Sequence, residues 1–295
     1  MDKLFTQMHD FRNRPLKNIA VLSSVASPLF LPASKETFAK MNDAINALFL
    51  SAVAENNSLN AVASDNFHLI TQNFTPGDDG WGITDGSYIQ ITVGGLKLTD
   101  AGVRLPPRMS HLNDFHYDAE LLDGCIRCLM NGEDSLRKRI FSSLQWVAYS
   151  YDNDPRFPYH SRILLLMVAF EILGAYPGSF TAMTFAKWLD ETWNTPEERK
   201  TLSLAKSKPG SYSPLGWWGM DFYSLRNDIV HNKKDINELR VFDEHGREYF
   251  KTGFFVFTEC VKELLSKQGL YKKSENAGLL RAWRLSERDS QDNKL

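Results

Sequence analysis

Hydrophobic and polar positions along this chain follow two periods, and the change between them predicts where one kind of structure gives way to another. From Lys35 to Glu55 the apolar residues Phe38, Met41, Ile45 and Leu48 are spaced by three and four, which predicts an amphipathic helix. Ser34 is a suitable N-cap, and Glu36 sits where the helix dipole favours an acid. Around that helix the period is two. Residues 67–74 and 88–93 alternate as strands do, and the stretch TPGDDGWG from Thr75 to Gly82 supplies turn residues between them. An earlier run, Asn18 to Val25, also reads as a strand. Residues 1–108 are therefore expected to form a small α+β N-terminal domain, sensory or regulatory in role, and the Pro- and Gly-containing stretch 95–107 its linker.

Beyond the linker the pattern is almost wholly helical. Helices are predicted over 117–130, 135–149, 161–173, 180–193, 215–231 and 247–267, with Gly174, the pair Pro177–Gly178 and the pair Pro209–Gly210 marking stops and loops. Residues 109–271 are expected to be an all-α bundle, and 272–295 a loosely held polar tail. The longest apolar run, Ile163 to Phe170, is eight residues long. A membrane-crossing helix needs roughly 20, so this run predicts a core helix.

Composition narrows the function classes. The 34 basic and 36 acidic side chains leave a net charge of −2, which argues against a wholly basic surface coating nucleic acid. A local RNA site needs only a few well-placed cations. The opening stretch MDKLFTQMHDFRNR has no apolar region of the kind a secretory leader carries, and three cysteines do not make a disulfide framework. A cytosolic location is the expectation. No P-loop, G-x-G-x-x-G or nucleophile elbow occurs in the N-terminal half.

The segment that carries chemistry is Trp217 to Lys234, WWGMDFYSLRNDIVHNKK. On a helix, Trp218, Phe222, Leu225 and Ile229 form an apolar packing stripe. Tyr223, Asn227 and His231 are each four apart and stack along another face. Arg226 adjoins Asn227, and its long side chain can swing towards the same end. A guanidinium, an amide and an imidazole thus converge near a helix C-terminus. Those groups suit RNA cleavage by attack of a ribose 2′-OH. Imidazole serves as base or acid at neutral pH, and Arg226 presents a fork that fits phosphate oxygens. Asn227 holds the imidazole or donates to a phosphate oxygen. No metal or other cofactor is expected, since the nearby carboxylates, Asp228 and Asp235, are too few for a two-metal site. The bland alternative is a histidine placed favourably at a helix C-terminus beside a surface arginine.

The string from Arg226 to His231, RNDIVH, resembles the R-x4-6-H signature of HEPN domains, including the polar residue that follows the Arg. LLLMVAFEILG, from Leu164 to Gly174, looks like the apolar helix with an internal Glu found in the Apea-like branch. The resemblance covers roughly residues 117–270 in number and order of helices. It implies a HEPN-type helical bundle that dimerises, so that Arg226 and His231 of both subunits face one cleft. It also implies an endoribonuclease acting in bacterial defence or a toxin–antitoxin system, with RNA as substrate and a regulatory partner or antitoxin. Its alternative within the family is a non-catalytic dimerisation or nucleotide-binding scaffold. One departure is Asn232, where Gly is frequent after the His; it bears mainly on the helix C-cap.

Other residues extend the candidate site. Glu171, inside an apolar helix, needs a partner if buried, and pairing with Arg226 would orient that guanidinium; a solvent-facing Glu is the alternative. Tyr159, His160 and Arg162 open the same helix and are candidates for the cleft border. Lys206, Lys208, Lys233 and Lys234 flank the Arg–His helix and are candidate RNA-backbone contacts, or simply solvated surface. Cys125 and Cys128 form a C-x-x-C with His111 and His116 upstream, yet they lie inside an apolar helical pattern. Buried structural thiols account for them better than zinc. Trp218 belongs to the packing stripe; Trp217 is open.

Overall fold

The structure is a computed structural model that describes residues 35–55, 72–77, 80–85, 117–151, 158–175, 180–195, 200–202, 210–231 and 248–272. In chain order its elements are α1 (Lys35–Glu55), β1 (Gln72–Gly77), β2 (Gly80–Asp85), α2 (Ala119–Asn131), α3 (Asp134–Ser150), α4 (Tyr159–Gly174), α5 (Ala182–Thr192), β3 (Thr201–Leu202), β4 (Ser211–Tyr212), α6 (Pro214–Val230) and α7 (Tyr249–Lys267). The described residues fall into two compact units. One holds residues 35–45 and the β1–β2 hairpin; the other holds residues 46–55 with every later helix.

The expected α+β N-terminal domain is corrected by these elements. Within the first 108 residues the described part is one helix and one two-stranded antiparallel ribbon, and the described chain as a whole is mostly all-α. The strands are also displaced from their predicted places. The stretch read as a turn is itself paired, Thr75 opposite Gly82 and Pro76 opposite Trp81, with Gly77 opposite Gly80. Each strand of a two-stranded ribbon is an edge, so Pro76 costs no central ladder bond. The predicted strands 18–25 and 88–93, the N-cap Ser34, the linker and the tail beyond 272 lie outside the described residues.

The helical expectations fare differently. Helices α2 to α7 start and stop within two residues of the predicted bounds, and α1 matches at both ends. Local chemistry explains several of these ends. Asp118 caps α2 by accepting the N–H of Leu121 at 2.9 Å. Thr181 and Thr184 exchange hydrogen bonds in a capping box that opens α5. The end of α4 is unusual, since the left-handed cap falls on Ala175 at φ 44° rather than on a glycine. Gly174 is instead needed for packing: a Cβ there would meet Phe180 at 3.3 Å and Trp188 at 3.5 Å. The orphan carbonyls of that helix end accept from Arg139, whose Nη2 and Nε reach the Leu173 oxygen at 2.6 and 3.0 Å.

Helix α4 is the centre of the bundle. Ile163, Leu166, Met167, Ala169, Phe170 and Leu173 are buried, as expected of a helix apolar nearly all round. The Phe170 ring is 5.1 Å from that of Phe185 on α5, 5.9 Å from Phe222 on α6 and 5.4 Å from Phe257 on α7, so one side chain ties four helices. Close approaches are made at glycines. A Cβ on Gly219 of α6 would stand 2.5 Å from Cδ1 of Leu189 of α5, so even alanine at that position would make the leucine side chain shift. No helix among the described residues is long and apolar enough to cross a membrane.

Candidate active site

The position of α6 is set at its start. Ser213 is buried and uses its hydroxyl twice, accepting the N–H of Gly216 at 3.0 Å and donating to the carboxylate of Asp190. Its backbone N–H donates to the other oxygen of Asp190 at 3.2 Å. Pro214 follows at the first helical position, where its missing N–H costs nothing. A buried carboxylate at the end of α5 is thereby matched to the positive end of α6. The predicted apolar stripe then packs: Phe222 and Leu225 are buried, Trp218 and Ile229 half-buried, and Trp218 stacks on Phe222 at 5.0 Å. Trp217 meets the Tyr212 ring edge-on at 5.2 Å.

The candidate chemistry stands at the other end of α6. His231 is the C-cap, exposed, with φ −95° and ψ 6°, and its N–H donates to the carbonyl of Asn227 at 3.0 Å. Asn227 and Arg226 are half-buried. The amide oxygen of Asn227 accepts from Nη1 of Arg226 at 3.0 Å, so Asn227 joins the two ends of the motif, by its side chain to Arg226 and by its backbone to His231. The guanidinium does not swing forward. Its Cζ lies 5.9 Å from the centroid of the Tyr223 ring, one turn back towards the helix start, the direction in which helical side chains lean.

Tyr223 and Glu171 complete the surroundings of Arg226. The Tyr223 hydroxyl donates to the carbonyl of Phe180 at 2.7 Å, and the two rings lie 6.0 Å apart. Tyr223 thus fastens α6 to the residue that precedes α5 while its ring supports the guanidinium. Burial pushes the Glu171 carboxyl above its ordinary value, and the positive charge of Arg226 pulls it back part of the way. Glu171 on α4 and Arg226 on α6 therefore feel each other across the bundle. The structure brings together Arg226, Asn227, Tyr223 and Glu171, with His231 exposed at the C-cap of the same helix, one turn beyond Asn227.

Lys206, Lys208, Lys233 and Lys234, with Asn232, His111 and His116, lie outside the described residues. Cys125 and Cys128 are free, buried thiols within α2, and Cys260 of α7 is a third; burial raises all three thiol pKa values. Sequence reasoning did not find the Asp190–Ser213 pair or the Phe180 carbonyl. A pattern S-P before an apolar run signals the cap, whereas a backbone acceptor 43 residues away leaves no mark in composition. No family model matches this chain, and neither a curated protein nor a solved structure matches it.

Proposed function

We propose that this protein is a HEPN-like endoribonuclease that cleaves RNA at a site built on the C-terminal end of α6, and that it acts as a homodimer. The observation that carries the reading is the place of Asn227: its side chain holds the half-buried Arg226 guanidinium and its carbonyl accepts the backbone N–H of His231, whose side chain stands exposed at the helix end. In this reading His231 takes the proton from a ribose 2′-OH. The 2′-oxygen attacks phosphorus, the P–O5′ bond breaks, and the leaving oxygen receives a proton. The products are a 2′,3′-cyclic phosphate and a 5′-hydroxyl. Arg226 neutralises charge on the phosphorane, and its rigid fork suits two non-bridging oxygens. Because Arg226 leans back over Tyr223 while His231 stands at the helix end, the proposal has the dimer axis supplying a second Arg–His pair to the same phosphate.

Support comes from the ordering around the guanidinium: Tyr223 beneath it, Asn227 beside it, Glu171 opposite. The proposed RNA path includes Lys206, Lys208, Lys233 and Lys234. The proposed setting is intracellular defence, with a partner or antitoxin holding the enzyme in check. The test is incubation of the full chain with total RNA in chelator, followed by end-group analysis of the fragments. Fragments with cyclic phosphate ends, lost in His231→Ala and in Arg226→Ala, are expected. Equal cleavage by wild type and both variants would sink the assignment, and a stable dimer inactive on every RNA would point to a binding scaffold.

A further inference from the structure

A second place in the bundle holds polar groups that are buried and unspent. Tyr151, which caps α3, is 4% exposed, with its ring 4.8 Å from Phe254, 5.5 Å from Phe49 and 5.6 Å from Phe250. Its hydroxyl is shielded and hydrogen-bonds nothing. Phenylalanine would fill the same space without the cost of desolvating that oxygen, so packing alone does not account for a tyrosine here. The charge that this phenol senses is Arg162, which opposes the upward push of burial on its pKa. Arg162 lies in the first turn of α4, and its Nε is likewise buried without a partner. Arg162 is half-buried, and no carboxylate among the described residues forms an ion pair with it.

The backbone adds positive potential. Helix α4 begins after Pro158, which offers no side-chain cap. The start of α7 is within reach of that helix, because the N–H of Phe250 donates to the Tyr159 hydroxyl oxygen at 3.2 Å, and the α7 N-cap Glu248 gives no side-chain cap either. The Glu248 carboxylate faces Lys251 at 3.4 Å. Phe250 links the two places: its ring lies 5.6 Å from Tyr151 and 6.3 Å from Tyr159, one turn before Arg162. This puts two helix N-termini and a guanidinium in the neighbourhood of a phenolic donor, groups that oxyanions seek.

We propose that Arg162 and Tyr151 form a binding site for a phosphate-sized oxyanion at the start of α4, with the guanidinium fork on two oxygens and the phenol donating to a third. The ligand class is a free phosphate or the phosphate of a small nucleotide. Glu171, the α4 residue that senses Arg226, lies nine residues further along, about 13.5 Å on a helix. The site is thus distinct from the proposed cleavage site and does not rest on the nuclease reading.

The experiment titrates the full chain with inorganic phosphate and, separately, with 5′-AMP at constant ionic strength. Heat of binding and melting temperature are read for wild type, Arg162→Gln and Tyr151→Phe. Saturable binding to wild type is expected, absent in Arg162→Gln. Tyr151→Phe should melt higher than wild type without ligand, yet bind about tenfold more weakly. That combination separates a ligand-binding hydroxyl from one merely left over by packing. Tighter binding of AMP would identify a nucleotide as the source, and equal or weaker binding the free anion. The proposal is overturned if neither probe saturates wild type, or if Tyr151→Phe binds as wild type does. The second result decides even where Arg162→Gln does not fold.

Discussion

Arg226 donates from Nη1 to the amide oxygen of Asn227 at 3.0 Å, a bond between neighbours in sequence that turns the guanidinium back along α6. If Asn227 aims Arg226 at the phosphate, Asn227→Ala should lower cleavage while disturbing the fold little. A half-buried hydrogen bond of this kind is worth about 1 kcal/mol in stability, whereas misplacing a phosphate clamp costs on the order of tenfold to a hundredfold in rate. Single-turnover cleavage and a melting curve on the same variant check both halves. Undiminished cleavage would remove Asn227 from the site.

Tyr223 is expected to behave differently from its neighbours on that face. Its hydroxyl is committed to the Phe180 carbonyl, and its ring alone supports Arg226. Tyr223→Phe should therefore lose about 1 kcal/mol of stability and keep most of the cleavage. Urea unfolding alongside a cleavage assay tests it. A large loss of rate with unchanged stability would instead make the phenol part of the chemistry.

Much of the bundle was legible because a period of 3.6 running over a dozen or more residues has few competing explanations. The apolar run 163–170 announced the central helix, and the spacing of Phe222, Leu225 and Ile229 announced the inner face of α6. The hairpin was misplaced for the opposite reason. Short alternating runs fit several registers, and Gly77 and Gly80 punctuate the ribbon without showing which residues pair. In the site, the string from Tyr223 to His231 gave the residues but not their directions. Arg226 was expected to reach towards His231. The lean of helical side chains and the Asn227 acceptor send it the other way. Arg162 was grouped with the cleft only because it shares α4 with Glu171, whereas its charge is felt by Tyr151. That pairing depends on how α3 ends, which no local pattern encodes.

Glu171 offers a direct probe of the α4–α6 relation. Its carboxyl is raised above the ordinary 4.5 by burial and lowered in part by Arg226. A raised acid binds its proton more tightly in the folded chain. Its protonation therefore favours folding below the ordinary value, and that advantage is lost as pH rises through the folded one. Stability should fall with pH across that window in wild type and stay flat there, for this group, in Glu171→Gln. Carboxyl NMR titration should place the Glu171 midpoint above the usual glutamate range, and higher again in Arg226→Gln. An unmoved midpoint in Arg226→Gln would show that the two charges do not interact.

The last prediction concerns the charge cluster that closes α7 onto α2. Lys262 reaches Asp118 at 2.9 Å and Glu259 at 3.3 Å, with its side chain 17% exposed. The Asp118 carboxylate is shared, one oxygen capping α2 and the other facing Lys262. Burial raises the Glu259 carboxyl, and Lys262 is the group that offsets this. Lys262→Met should therefore cost about 3–5 kcal/mol, because it leaves a buried carboxylate unpaired rather than because the bridge is strong. If so, adding Glu259→Leu to Lys262→Met should recover part of the loss, since it removes one of the two carboxylates that Lys262 faces, while Asp118 keeps only its cap on Leu121. The midpoint of urea unfolding should drop in the single variant and rise part of the way back in the double, with the slope unchanged throughout. A single variant as stable as wild type, or a double variant no better than the single, would show that Glu259 is solvated by some other route.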